Sequence, residues 1–65
     1  MKKSFLKLLI LSGENFYSNP EKDVYVIKYD GIYYCIDGTG KDGIITEKTD
    51  MMESIKFASK IAMSK

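Results

Sequence analysis

The spacing of apolar residues changes character along the chain, and its clearest stretch is VYVIKYDGIYYCID, residues 24 to 37. Two β-branched and aromatic blocks flank Asp30-Gly31. An Asp-Gly pair between such blocks is a strong hairpin signal, because a type I′ turn needs positive φ at both central positions. The turn sets the register. Tyr29 faces Ile32, Ile27 faces Tyr34 and Tyr25 faces Ile36 on one side, leaving Val24, Val26, Lys28, Tyr33 and Cys35 on the other.

After a glycine-rich loop, IITEK at 44 to 48 reads as a third strand antiparallel to the second. Asp50 then opens a helix, its carboxylate placed to accept from the Glu53 amide as in a capping box. Met51, Ile55, Ala58 and Ala62 recur at helical spacing, with Phe57 and Ile61 widening the stripe. The first segment, SFLKLLILS, fits either period. As a helix it groups Phe5, Leu8, Leu9 and Ser12; as a strand it alternates Leu6, Leu8 and Ile10 with Phe5, Lys7, Leu9 and Leu11. Leucine content and the terminating Gly13 favour the helix. GENFYSNPEKD reads as a linker that turns at Asn19-Pro20. The expected fold is therefore α+β: one domain, residues 1–65, with a three-stranded antiparallel β-meander, a C-terminal α-helix and an N-terminal helix.

Composition narrows the functions available. Sixty-five residues leave room for one small core, and domains of this size often need a disulfide, a metal or a second copy for support. Cys35 is the single cysteine, so no intrachain disulfide can form, and a reducing, cytoplasmic setting is expected. Without histidine and with one cysteine, a tetrahedral zinc site is not expected. The ten basic residues are all lysine against nine acidic ones, and the net charge of +1 gives no concentrated basic stripe for nucleic acid. The opening MKKSFLKLLILSG is interrupted by Lys7 and lacks a small-x-small cleavage pattern, so it reads as part of the fold rather than a leader. Its apolar run is far short of the roughly 20 residues that span a bilayer, and no membrane role is expected.

DGTGKDG, residues 37 to 43, invites a phosphate or calcium reading. A phosphate loop needs a glycine where Cys35 stands, a hydroxyl after the lysine where Asp42 stands, and a helix where the β-type GIITE follows. A calcium loop counted from Asp37 meets Thr39 and Lys41 at ligand positions and Lys48 in place of the closing glutamate. The segment reads instead as a hairpin loop whose glycines supply positive φ and whose Asp and Thr bond their own backbone. Absence of histidine removes the usual activated nucleophile pairs, and Cys35 reads as a small sheet residue. Neither catalytic residues nor a cofactor are expected, and the chain reads as non-enzymatic.

The tyrosine and isoleucine face, with Tyr25, Tyr29 and Tyr34, is expected to be the core beneath the C-terminal helix. The opposite face is then too apolar for plain solvent surface. Val24, Val26, Lys28 and Tyr33 are accordingly the candidate partner-binding residues, with a sheet edge as a further docking element.

Residues 24 to 64, with two strands, the loop and strand GKDGIITEKT and an amphipathic helix, resemble the arm-type DNA-binding modules of phage integrases. That resemblance implies a three-stranded sheet entering the major groove, although this sheet offers chiefly Lys28 and no arginine. In size, lysine and isoleucine bias and near-neutral charge, the chain is also similar to the small inhibitors that phages direct at host defence systems, anti-CRISPR proteins among them. The expected function is a protein-binding module, phage-like and anti-defence in type, inhibiting a larger protein by occlusion and self-associating as a homodimer; the alternative is a DNA-binding module.

Overall fold

The computed structural model describes residues 2–65. Element order is α1 (Lys2–Ser12), β1 (Glu14–Asn19), β2 (Val24–Tyr29), β3 (Ile32–Asp37), β4 (Ile44–Lys48) and α2 (Met51–Ser64). All four strands form one antiparallel sheet in the order β1-β2-β3-β4, a pure meander. The α+β class holds, as do the two helices. The sheet has four strands rather than three, because Glu14–Asn19 pairs with β2 instead of serving as a linker. Its register slips between Asn15 and Tyr17, and the bulge lets Phe16 and Tyr17 pack into the same apolar cluster. Strict alternation is lost there, so the usual strand signature is missing.

The central hairpin follows its turn chemistry. Asp30 and Gly31 have φ of 54° and 79°, the signs that a type I′ turn requires. Tyr29 pairs with Ile32, Ile27 with Tyr34 and Tyr25 with Ile36, the register that the turn dictates. The β1–β2 connection turns at residues 20 to 23, with Asn19 Oδ1 accepting from Lys22 N at 3.1 Å. It closes on Asp23, a non-glycine residue at φ 59°, a conformation that Asp tolerates better than most.

The helices lie on opposite sides of the sheet, each over its own apolar cluster. On one side Ala58 and Ala62 of α2 pack on Val24, Val26 and Cys35, with Phe16, Tyr17, Tyr33, Phe57 and Ile61 around them. On the other, Leu9 of α1 packs on Ile27, Tyr34 and Ile36, with Phe5 and Leu6 alongside. This reverses the expected placement of α2 on the tyrosine face. The buried stripe of α2 is Ser54, Ala58 and Ala62, all small, which lets the helix backbone approach the equally small Val24, Val26 and Cys35. Large tyrosines would hold such a helix away. Met51, expected in that stripe, is 40% exposed. The Asp50 cap forms as expected, with Glu53 N donating to Asp50 Oδ2 at 2.9 Å.

Gly13 ends α1, its N–H donating to Leu9 O at 2.7 Å. A Cβ there would overlap Ile27 Cγ2 and Leu9 O, so the residue also allows the helix end to sit directly on β2.

Candidate functional site

The four candidate partner-binding residues do not form one open surface. Val24 and Val26 are 0% exposed beneath α2 and have nothing to present to a partner. This corrects the expectation of an open apolar face there, and the cause is the helix assignment: α2 seals the valine and cysteine side with its small-residue stripe. Lys28 and Tyr33 are half-buried at the rim of that cluster. The Tyr33 ring meets Phe16 edge-on, centroids 5.3 Å apart, and Lys28 Nζ stands 5.3 Å from its centroid. Lys48 sits over Phe57 in the same manner at 4.6 Å. These lysines cover aromatic rings within the chain.

Cys35 is buried, and its Sγ donates to Ser54 O at 3.4 Å. Burial pushes its thiol above the usual range, with the Lys48 charge acting weakly against that shift. A raised thiol pKa lowers the thiolate fraction, which suits a packing residue in the seam between β3 and α2. Ser54, the one buried polar side chain among the described residues, is satisfied by donating to Met51 O at 2.6 Å.

The 37–43 loop is held from outside rather than by its own backbone alone. Thr39 N donates to Asp23 Oδ2 at 2.8 Å, and its hydroxyl lies 3.1 and 3.2 Å from the two carboxylate oxygens. Gly38 N donates to Asp23 O at 2.8 Å. Gly38 takes φ 92°, whereas Gly43 is required because a Cβ there would overlap Gly38 O. At the loop's entrance Asp37 pairs with Lys65 Nζ at 2.6 Å, and Lys65 Nζ also donates to Lys22 O at 3.0 Å. The first and third connections of the sheet and the end of α2 are thus tied into one cluster.

An apolar surface stands elsewhere, on the side of the sheet that α1 covers incompletely. Leu9 is fully buried, but Leu8, Ile10 and Leu11 are 39%, 59% and 75% exposed. The buried side of α1 is therefore Phe5, Leu6 and Leu9, rotated from the expected grouping of Phe5, Leu8, Leu9 and Ser12. An open groove of about 280 Å³ runs between α1 and the sheet, lined by Leu6, Leu9, Ile10, Tyr25, Ile27 and Ile36. Beyond it, α1 lies on β1 and β2 and reaches β3 through Leu9 and through Phe5, whose ring meets Tyr34 at 5.1 Å and 77°. Ile32 and Ile45 remain partly exposed on the β3–β4 half.

A signal for this surface is present in the residues. A helix reading KKSFLKLLILS is apolar on nearly every side, and a helix of that kind is stable only when more than one side is covered. No helix among the described residues is long and apolar enough to cross a membrane. Comparison with models of protein families, with curated proteins and with solved structures finds no match to this chain.

Proposed function

We propose that this chain is a small non-enzymatic protein-binding module that docks through the outer side of α1 and inhibits a larger protein by occlusion. The observation that carries the reading is the exposure of Leu8, Ile10 and Leu11 together on one short helix of a small domain. Leu8 and Leu11 lie one turn apart on the outer side, with Ile10 on the flank beside the groove, and such exposed apolar residues mark contact surfaces, since leaving them in water forgoes about 25 cal/mol per Å². The edge strand β4 adds a second docking element, with unpaired backbone groups beside the exposed Ile44. Similarity in size and composition to small phage inhibitors gives the reading its direction, with a host or defence protein as target and blockade of a surface as mechanism.

Immobilised wild-type chain and a Leu11→Glu variant, each exposed to host extract, test this. The reading expects a defined protein retained by wild type and released by the variant. Equal retention by both would remove α1 as the docking surface.

The DNA-binding alternative has weaker support. Insertion of a sheet into the major groove needs a bare sheet face, and here α2 covers one side and α1 occupies part of the other. Lys28, the basic residue expected to read DNA, lies against Tyr33. An electrophoretic shift that weakens steeply with salt would restore that alternative.

A further inference from the structure

We infer that the first occupant of the α1 surface is a second copy of this chain, paired about a two-fold axis so that the outer side of each α1 sits on the open β3–β4 half of the other sheet. The inference rests on the docking reading above and names its partner.

The sheet side that carries α1 has two unlike halves. One half is filled by the helix, and the other presents the half-buried Ile32 and Ile45 on either side of Tyr34, which Leu9 and the Phe5 ring cover. Strands lie about 4.8 Å apart and helices pack on a sheet at roughly 10 Å spacing, so four strands have room for two helices side by side. The chain supplies one. A two-fold axis makes the vacancy on each copy the seat for the helix of the other, giving two sheets with two α1 helices between them.

Charge points the same way. Among the described side chains of α1 the charged one is Lys7, and the helix holds no acid. The open half carries carboxylates: Glu47 pairs across from Tyr34, and Asp30 stands at the turn between β2 and β3. Both charges are felt at Tyr34, where they add to burial in raising the phenol's pKa. Lys7 and Leu11 are one helical turn apart, so a partner that buries Leu11 meets Lys7 as well. A basic, all-round apolar helix and an acidic, partly apolar seat thus occur on one side of one molecule, the self-complementarity that an isologous dimer requires.

Sedimentation equilibrium on wild type, Leu11→Glu, Lys7→Glu, Glu47→Lys and the double exchange Lys7→Glu/Glu47→Lys tests the pairing, with circular dichroism confirming that each variant folds. The pairing predicts a wild-type dimer, at least tenfold weaker dimers for the three single variants, and recovery to near wild type in the double exchange. Leu11 and Lys7 are exposed, so neither change disturbs the monomer core. A wild type that stays monomeric up to the order of 1 mM, or a dimer that none of the variants weakens, would overturn the inference. Flotation of monomer with vesicles of phosphatidylglycerol and phosphatidylcholine, lost in Leu11→Glu, would also overturn it and assign the helix to a lipid surface. A monomeric wild type that still retains a host protein through Leu11 would leave the docking reading standing without the second copy, so the two failures are distinguishable.

Discussion

The carboxylate of Asp23 grips Thr39 at both backbone and side chain, joining two connections of the sheet that are sixteen residues apart in sequence. The Thr39 backbone N–H is the largest cause holding the Asp23 carboxyl below its ordinary 3.8, with desolvation working against it. Because the folded pKa is lowered, the stabilisation is fully present above the unfolded value and is lost as pH falls through the folded one. Asp23→Asn keeps the left-handed backbone accessible but removes the charge. The variant should lose at most about 1 kcal/mol near neutral pH, since solvent screens the site, and should show a shallower fall in stability below pH ~4. Urea denaturation of both proteins across that acid range measures this.

Tyr25 and Tyr34 should behave in the opposite sense at alkaline pH. Burial is the first cause that raises each above its ordinary 10.0, joined at Tyr25 by the Asp23 carboxylate and at Tyr34 by Glu47 and Asp30. Folding favours the neutral phenol, so the contribution is complete below the unfolded value and disappears as pH rises through the folded one. In tyrosinate absorbance titrations, Tyr34→Phe should remove part of the late-titrating component. It should also make stability less sensitive to alkali.

Burial of Val26 under α2 predicts a stability phenotype in place of a binding one. Val26→Ala should cost about 2 kcal/mol in urea denaturation and leave partner retention unchanged under conditions where the fold persists. Val26→Asp should fail to fold.

At Gly13 the expected effect falls on the seating of α1. A methyl group there overlaps Ile27 Cγ2 and Leu9 O, so Gly13→Ala should cost about 1 to 3 kcal/mol. Amide hydrogen exchange should place the loss of protection in α1 and β2, with α2 little changed.

The hairpin register and the Asp50 cap were legible because each rests on a few adjacent residues: Asp30-Gly31 permits one favoured turn, and Asp50 with Glu53 satisfies one helix end. β1 was not legible as a strand. Its residues are mostly polar, its partner lies beyond a turn, and the bulge at Phe16 erases the two-residue period. The choice of sheet side by α2 was harder still, because counting apolar positions treats alanine and methionine alike. Close approach depends instead on the small volumes of Ser54, Ala58 and Ala62. For the same reason the candidate docking residues divided: Val24 and Val26 went inward, and Lys28 and Tyr33 stayed at the rim. The exposed residues of α1 were visible as an excess of leucine and isoleucine, but which of them the sheet would leave uncovered depended on the helix's rotation.

The strand order has a kinetic consequence. Each strand bonds only to its neighbour along the chain, so no long segment must close before pairing begins. Assembly can start at the Asp30-Gly31 reversal and zip outward in both directions, which keeps sequence separations short for a sheet, and shorter separations go with faster folding. A stopped-flow chevron with straight arms, its refolding limb unaffected by Leu11→Glu, is the behaviour this wiring implies.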